Sequence, residues 1–536
     1  MEPKKYKIRA LRDWVPQKAG FVVLALVALV CQFSNPTYLS IMGDVVGANQ
    51  FYREDLSFAF QVSMISLTMM FPVLWKIKAQ FSSYSILMFS LFMLAGSMFL
   101  CAMADSVLLL CIGGFGVGIF KMLGTFEALS SVMLIVTPKA NFKIWFTVMY
   151  TFILLCVQAS GMLAVYLNDD YGWQYIYYVI IFTLLVVMLL VVIFFRPIEP
   201  IPQQLIQYID WKGCLLWTTL LLLMAYVLIY GQVDNWLDSP YIAYATCGIF
   251  IVAGLLYYSY RLTPHPYVPV RSFSFRNVKV SFIVILVLMI FLNTSGSILG
   301  PYTGAIMKLD SLTNINLNLF VIYGILIGLV YCLFWYFVYK GGFKGMFFTG
   351  FLSLTVYHLL IYIDFSWQSG EEILFLPYFL RGFGNIVIYA SVAVYMMKDV
   401  SFDIFPGTLF VVAVARNAIG GAVASSILSN LQHHKVIENI QKLALRIEAN
   451  SYTSTTVFQQ AKNSVLMRGG WARDAEIAAS GGLYGKVYLQ SVLLSGSEIF
   501  GYVIAFGALV LCIILLYHFL KPLQKKMFNN VFGETV

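Results

Sequence analysis

Four charged side chains stand inside long apolar runs of this sequence, where an unpaired charge is costly and therefore indicates function. They are Lys121, Glu127, Arg381 and Arg416. Glu127 is the only carboxylate among them, so Glu127, with Lys121 six residues before it, is the candidate for proton coupling. Two structural alternatives stay open: an ion pair between Glu127 and Lys121, or a carboxylate that extends to the nearest aqueous surface.

Arg381 and Arg416 are the candidates for holding an anion. Their partners would be backbone carbonyls, the nearby Asn385 and Asn417, or an anionic substrate group. Hydrogen bonding between helices is the structural alternative. With three positive charges against one negative, a cavity lined by these residues would favour anionic or neutral amphiphiles over simple cations.

Uncharged polar and aromatic residues complete the candidate set for a substrate pathway. The polar candidates are Asn35, Gln158 and Asn293, and the dipeptides Asn35-Pro36 and Gly300-Pro301 are expected to break their helices and free carbonyl groups. Six aromatic residues could contact a substrate, and the sequence does not choose among them: Tyr38, Phe126, Tyr150, Tyr302, Tyr323 and Tyr389.

The runs that carry these residues are long enough to cross a bilayer, which takes an apolar helix of about 20 residues. They are too uniformly apolar for barrel strands. Hydrophobic residues make up 60% of the chain and charged residues 11%, compared with roughly 25% charged in soluble proteins. Fourteen spans are predicted, at 20–42, 57–75, 84–104, 106–136, 144–166, 174–195, 213–231, 240–260, 279–301, 317–339, 345–363, 373–397, 405–430 and 498–520.

The loops between the spans fix the orientation. If the N-terminus is cytoplasmic, the inner segments hold 22 Lys and Arg residues and the short outer loops hold two, Arg53 and Lys308. This asymmetry predicts that both ends are cytoplasmic. The net charge of +9 then belongs mainly to a surface that faces anionic lipid, and nucleic acid is not an expected partner. The basic segment before the first run resembles a signal peptide, but the run is too long, so it is predicted to be a retained helix.

Proline-rich linkers divide the spans into six, two and six. The linkers begin at Arg196 and Thr263. Residues 1–19 are predicted to be a cytoplasmic segment, 20–195 a first six-helix bundle, 196–278 the linkers with two extra helices, and 279–536 a second six-helix bundle. The second bundle includes one long outer loop, 431–497, which begins with helical spacing and contains Gly469-Gly470 and Gly481-Gly482 as breaks. The loop is either a solvated cap or a docking surface for another protein.

Several segments resemble one transporter family. Residues 376–384 read LPYFLRGFG, 415–422 read ARNAIGGA, 489–500 read LQSVLLSGSEIF and 170–178 read DYGWQYIYY. In this order and spacing they resemble the EmrB/QacA-type drug:proton antiporters, the fourteen-helix branch of the major facilitator superfamily. The resemblance implies an all-α integral membrane protein with the major facilitator fold in a bacterial inner membrane. It also implies proton-coupled multidrug efflux by alternating access, and a periplasmic membrane-fusion adaptor protein that contacts 431–497.

The sequence departs from the family pattern in its N-terminal half. Asn35 occupies the place of the family's membrane Asp in LDxTIVNVALP. Residues 75–85 lack the Asp and Gly of GxLxDRxGRR, Gly113-Gly114 lies near the place of the span-four Arg, and 160–165 replaces GPxxGG. These differences keep two alternatives to the antiporter open: an exporter of a specific metabolite or lipid-like compound without standard proton coupling, and a non-transporting scaffold derived from a transporter.

An enzyme is the remaining alternative class. The five histidines are scattered, all eight cysteines lie in apolar runs without a CxxC pair, and no nucleotide-binding loop is present. The sequence therefore predicts no catalytic residues, no metal site and no cofactor.

Overall fold

The computed structural model describes residues 10–35, 37–49, 51–137, 141–197, 209–398, 400–401, 403–445 and 452–532. Throughout that part of the chain the regular structure is helical, apart from one isolated pairing between Leu11 and Phe195. Among the described residues, twelve helices are long and apolar enough to cross a membrane, and counting each of two bent helix pairs as one span gives up to fourteen. The predicted all-α membrane protein is confirmed, with twelve to fourteen spans.

The helices are numbered in chain order. The N-terminal half contains α1 Gln17–Phe33, α2 Met42–Asn49, α3 Arg53–Met69, α4 Phe71–Gln80, α5 Ser83–Ala102, α6 Val107–Val136, α7 Phe142–Tyr171 and α8 Tyr175–Phe194. The extra pair is α9 Trp211–Tyr230 and α10 Pro240–Leu262. The C-terminal half contains α11 Arg276–Thr294, α12 Ser311–Asn316, α13 Asn318–Phe334, α14 Phe343–Ile363, α15 Phe375–Met396, α16 Phe405–Ala413, α17 Gly420–Ala444, α18 Tyr452–Met467 and α19 Ala472–Phe532.

Two of the predicted spans are bent. The first consists of α1 and the segment Tyr38–Gly47, which are inclined by 41° across the predicted break beginning at Asn35; Pro36 lies outside the described residues. The second consists of α3 and α4, inclined by 52° at Met70. Pro72 explains this bend, because its ring clashes with the preceding helical turn and it lacks an N–H group to continue the ladder.

Four π-helical turns occur in the described C-terminal half, at Ser295–Leu299, Tyr302–Ile306, Trp335–Tyr339 and Val414–Ala418. Two of them flank Gly300-Pro301. The prediction that this dipeptide breaks its helix is wrong, since the helix continues from Arg276 to Ile306. The wider π turns accommodate the proline ring and its missing N–H without ending the helix.

The halves are packed most closely within themselves. In the N-terminal half α6 packs on α3 and α5, and in the C-terminal half α15 packs on α13 and α14. Between the halves, α7 contacts α13 and α15, and α3 contacts the π turn Val414–Ala418. The extra helix α9 contacts α3 of the first half and α17 of the second, while α10 packs on α9.

The start and end of the N-terminal half meet on one side of the molecule. The Arg12 backbone N–H donates to the Phe194 carbonyl at 3.0 Å, and the Arg196 backbone N–H donates to the Ala10 carbonyl at 2.8 Å. The Arg12 guanidinium caps the end of α8 by donating to the Phe195 and Val192 carbonyls. Residues 10–12 and 194–196 are therefore on the same side, as an even number of spans between them requires.

The segment 431–497 is a helical arm rather than a loop. Helix α17 extends the thirteenth span to Ala444, and α18 packs on the outer part of α19. Gly469, with φ of +81°, lies in the turn between α18 and α19, as predicted. The second predicted break is wrong, because Gly481-Gly482 lies inside the continuous helix α19. Residues 446–451 lie outside the described residues.

Polar contacts hold the base of this arm together. The Lys435 ammonium bridges Glu438 of α17 and Glu498 of α19 at 2.9 and 3.2 Å. Asn439 donates to the Ser495 hydroxyl at 2.9 Å and is itself buried. Further out, Lys462 of α18 pairs with Glu476 of α19 at 2.8 Å, so the helices of the arm are joined at two levels.

The closest helix crossing in the C-terminal half gives a stability prediction. A Cβ atom at Gly324 of α13 would clash with the Phe379 carbonyl oxygen of α15 and lie 2.8 Å from the Phe383 nitrogen. We expect Gly324→Ala to destabilise the protein by about 1–3 kcal/mol through overpacking, which lowers the melting temperature in detergent. Gly254→Ala in α10 is the matched control, because nothing lies within 4 Å of its added methyl group. Equal melting temperatures for the two variants would contradict the crossing.

Candidate functional site

Arg416 lies in the seam, the interface where α3 and α7 of the first half contact α13, α15 and the π turn Val414–Ala418 of the second half. It lies in the π turn Val414–Ala418, and its guanidinium carbon is 5.0 Å from the ring centre of Tyr150 and 4.6 Å from that of Tyr389. Tyr150 belongs to α7 of the first half and Tyr389 to α15 of the second. The two rings stack with centres 5.7 Å apart and planes inclined by 4°. Arg416 is thus held by aromatic faces from both halves.

The π turn also binds the N-terminal half through its backbone. A π turn leaves carbonyl groups without their usual helical donors. The buried Gln61 side chain of α3 donates to two of them, the carbonyls of Asn417 at 2.8 Å and Ala418 at 2.5 Å. This contact fixes the turn that carries Arg416 against α3.

Helix α15 presents three candidate residues at successive turns. Arg381, Asn385 and Tyr389 are spaced four residues apart, which places them along one face of the helix. Asn385 is 8% exposed, and its side-chain oxygen has no hydrogen-bond partner among the described residues. Arg381 is half-buried, with its guanidinium carbon 6.0 Å from the ring centre of Tyr378. This face offers a cation and an unsatisfied acceptor next to the Tyr389 ring.

The Lys121 side chain provides a hydrogen-bond donor for acceptor groups at the C-terminal end of α1. Its ammonium group donates to the Asn35 side-chain oxygen and, at 3.5 Å, to the Gln32 carbonyl in the last turn of α1. The carbonyl end of a helix attracts a cation. Lys121 is also close enough to Arg416 for their charges to repel each other. Lys121 therefore combines a structural contact with a position near the seam.

Glu127 pairs with Lys78, a residue that the sequence pattern does not single out. Its Oε1 accepts from the Lys78 ammonium at 3.1 Å and from the Ser131 hydroxyl at 3.1 Å. The alternative of an ion pair with Lys121 is wrong, since Lys121 bonds to α1 instead. The Glu127 side chain is 1% exposed and that of Lys78 is 28% exposed. The second carboxylate oxygen, Oε2, is buried without a hydrogen-bond partner among the described residues.

The other candidate residues either lie outside these clusters or form hydrogen bonds within their own helix. The Asn293 side chain donates to the Met289 carbonyl of the same helix at 2.8 Å. Gln158 is half-buried on α7, the helix that carries Tyr150. Asn417 is half-buried beside Arg416, and its backbone rather than its side chain contacts Gln61. Among the aromatic candidates, Tyr323 is 53% exposed on the outer surface of α13.

A second buried polar cluster lies inside the C-terminal half. His358 of α14 is fully buried; its Nδ1 contacts the Leu354 carbonyl at 2.7 Å and its Nε2 contacts the Thr294 hydroxyl at 2.9 Å. The next residues, Ser295 and Tyr357, are joined through their hydroxyl groups at 3.0 Å. Because both ring nitrogens have partners, the cluster serves to join α11 to α14.

The seam is positively charged. Across the described residues, no carboxylate oxygen lies within 4.0 Å of the charged groups of Lys121, Arg381 or Arg416. Glu127 is occupied by Lys78. The partners of these three cations are amide oxygens, carbonyl oxygens and aromatic rings, all of which are neutral. An anion forms stronger, charge-assisted hydrogen bonds with a cation than these neutral partners do, so the cations remain able to bind one.

Comparison with solved structures shows what this architecture is. The human organic anion transporter MFSD10 (TETRAN) matches 90% of this chain over its full length, with a TM-score of 0.50 and 11% identity. Tetrameric PepTSo2 matches 95% of this chain and 99% of its own, with a TM-score of 0.55 and 12% identity. An autoinhibited peptide transporter of the POT family matches 91% and 96%, with a TM-score of 0.51 and 14% identity. The chain has the major facilitator fold.

Sequence comparison adds no closer relative: no family model matches, and no curated protein matches. The structural likeness at 11–14% identity establishes the fold. Within the major facilitator fold, a position between the two six-helix halves is where substrate sites are built.

Proposed function

We propose that this chain is a secondary active transporter that exports small amphiphilic molecules, with a preference for anions, by alternating access in a bacterial inner membrane. In this proposal it belongs to the EmrB/QacA-type branch. The observation that carries the proposal is the cationic seam, where Arg416 is held between Tyr150 of one half and Tyr389 of the other and Lys121 lies nearby. A substrate bound there would contact both halves at once.

Each half is built to move as a unit. Added Cβ atoms at Gly118 and Gly382 would clash with the backbone of the neighbouring helices α3 and α13, so helices within each half are in backbone contact. Between the halves, α7 packs on α13 and α15, and the side-chain contacts include the Tyr150–Tyr389 stack with Arg416, the Gln61 hydrogen bonds and a hydrogen bond from Tyr166 to Asn316 at 2.6 Å. Rocking of the halves therefore requires these contacts to exchange.

We propose that Glu127 couples transport to protons. Lys78 lies near the end of α4, and Glu127 lies nine residues before the end of α6, so their ion pair ties these two helices together. Protonation of Glu127 at its unpartnered Oε2 would cancel the carboxylate charge and leave Lys78 without its ion-pair partner, in contact with the Ser130 hydroxyl at 2.5 Å and the Phe126 ring at 5.8 Å. The tie between α4 and α6 would then weaken each time a proton binds.

A second candidate function is supported by Asn35. Asn35 takes the place of the membrane Asp of the resembled family and bonds to Lys121, and among the described residues no carboxylate lies within 4.0 Å of Lys121, Arg381 or Arg416. This arrangement favours an exporter of one specific metabolite without standard proton coupling.

A charge series on one ring skeleton tests the preference for anions. Purified protein would be reconstituted in vesicles, and counterflow would be measured for naphthalene-2-sulfonate, naphthalene-2-sulfonamide and a naphthyl trimethylammonium ion. We expect the sulfonate to be exchanged fastest and the ammonium ion slowest, because the seam contains cations without carboxylates. Faster exchange of the ammonium ion than of the sulfonate would contradict the proposal.

We propose that the arm, 431–497, contacts a periplasmic adaptor protein. Its tip, between α18 and α19, exposes Met467 and Trp471, which are 88% and 82% exposed, next to Arg468 and Arg473. Exposed large apolar side chains rimmed by charge are typical of protein-binding surfaces. Site-specific cross-linking from position 471 in cells should yield a defined complex with a membrane-fusion adaptor; equal labelling from exposed position 484 would argue against a defined contact at the tip.

A further inference from the structure

We infer that Tyr150 and Tyr389 form a clamp for the planar aromatic ring of an anionic substrate, with Arg416 binding its anionic group. This inference rests on the proposed function and narrows its substrate class to aromatic anions. This substrate class follows from one arrangement of side chains, in which two parallel phenol rings from opposite halves lie against one guanidinium group.

The stacked pair has the geometry of a site for a flat ring. Its planes are inclined by only 4°, with centres 5.7 Å apart, which is an offset stack of the kind that aromatic rings favour. Because Tyr150 is on α7 and Tyr389 is on α15, any movement that parts the halves also parts the rings. A substrate ring can then replace either phenol ring as the stacking partner.

Arg416 exchanges a weaker partner for a stronger one in the same step. At present its guanidinium faces the two phenol rings, and no carboxylate among the described residues lies within 4.0 Å of it. A sulfonate or carboxylate accepts two parallel hydrogen bonds from a guanidinium, which is stronger than contact with an aromatic face. Arg416 also forms side-chain hydrogen bonds with both tyrosines, so the substrate's anionic group would replace the tyrosines as partners of the guanidinium next to the ring site.

Asn385 adds a second recognition element. Its side-chain oxygen is buried without a partner, and it lies one helical turn from Tyr389 on the same face of α15. Burying an acceptor without a donor is costly, so a donor supplied by the ligand would be bound favourably. The preferred ligand thus carries a hydroxyl or N–H group on its ring in addition to its anionic group.

A pair of ligands that differ only in aromaticity tests the clamp. Equilibrium binding to the full chain in lipid nanodiscs would be measured with naphthalene-2-sulfonate and with its fully saturated analogue, decahydronaphthalene-2-sulfonate. We expect wild type to bind the aromatic sulfonate more tightly, and Tyr150→Leu or Tyr389→Leu to weaken it by about 2- to 13-fold. Because both tyrosines also hold Arg416, the same variants should weaken the saturated sulfonate too, but by a smaller factor than the aromatic one.

Conservative variants separate stacking from folding. Tyr150→Phe and Tyr389→Phe keep the rings and should bind the aromatic sulfonate almost as wild type does. Asn385→Leu should remove any advantage of 6-hydroxynaphthalene-2-sulfonate over the unsubstituted ligand. If a Leu variant fails to fold, the comparison of the two ligands on wild type still decides the question.

Two results would overturn the clamp: equal affinity of wild type for the aromatic and saturated sulfonates, or Leu variants that weaken both ligands equally. Failure of the proposed function is a different outcome, in which the folded protein neither binds nor exchanges any of the anions. Binding of both sulfonates with equal strength would retain the anion transporter and reject only the aromatic clamp.

Discussion

Arg416→Gln is expected to weaken the binding of naphthalene-2-sulfonate by about 30-fold or more, because removing one partner of a buried charged hydrogen bond costs about 2–5 kcal/mol. Among the described residues, Arg416 is the only one whose charged group contacts both tyrosines of the seam. Arg416→Lys keeps the charge but loses the planar fork of donors, so its affinity should fall between those of wild type and Arg416→Gln. Affinity is measured by equilibrium binding in nanodiscs.

The control for this prediction is Arg271→Gln. Arg271 is exposed and lies on the linker before α11, so it cannot contact the seam. This variant should bind as wild type does. If Arg416→Gln folded normally and bound the sulfonate with unchanged affinity, Arg416 would be a structural residue and the seam would not be the anion site.

Glu127→Gln is expected to abolish accumulation driven by a pH gradient while leaving counterflow close to wild type. Glutamine keeps the shape and one acceptor oxygen of Glu127, but it cannot take up a proton. Counterflow needs only the substrate site and the rocking of the halves. Glu127 contacts Lys78 and Ser131 and does not contact the substrate site directly. Both rates are measured in the same vesicles, with and without an imposed pH gradient. Glu371→Gln, at the start of a short outer helix, is the matched control.

The ion pair gives this prediction a second readout. Lys78→Met leaves the buried Glu127 carboxylate without its cation, which should destabilise the protein by about 3–5 kcal/mol at neutral pH. Adding Glu127→Gln to Lys78→Met removes the uncompensated charge and should restore most of the melting temperature. Proton-driven accumulation that persists in Glu127→Gln would mean that another residue carries the proton.

The span count and the architecture could be predicted because the bilayer imposes strong constraints on sequence. Each span must be long, apolar and helical, and the run lengths therefore reveal the spans. The arm was harder to predict: its polar helices α18 and outer α19 are stabilised by packing and ion pairs such as Lys462–Glu476, which hydropathy does not detect. For the same reason the sequence predicts a break at Gly481-Gly482, although these residues lie inside the continuous helix α19.

The charged members of the site could be predicted individually, whereas Asn385, Tyr150 and Tyr389 stand in the sequence within a wider set of polar and aromatic candidates. Composition identifies Lys121, Glu127, Arg381 and Arg416 because charges are rare in apolar runs. Their partners depend on which helices meet. Lys78 looks like an ordinary cytoplasmic lysine in the sequence, but the bend at Pro72 directs α4 so that its ammonium reaches Glu127, 49 residues away. The π turn around Arg416 likewise has no periodicity of its own, and Gln61 becomes significant only once that turn is known.

Accumulation of naphthalene-2-sulfonate by proteoliposomes with an acidic lumen tests the central claim most directly. The sulfonate is permanently charged and does not cross lipid by itself, so accumulation against its gradient must be carried by the protein. We predict that vesicles containing the protein accumulate the sulfonate when the lumen is acidic, and that a protonophore or Arg416→Gln abolishes this accumulation. Uptake by vesicles with folded protein that equals uptake by protein-free vesicles would contradict the claim that this chain is a proton-driven transporter of anions.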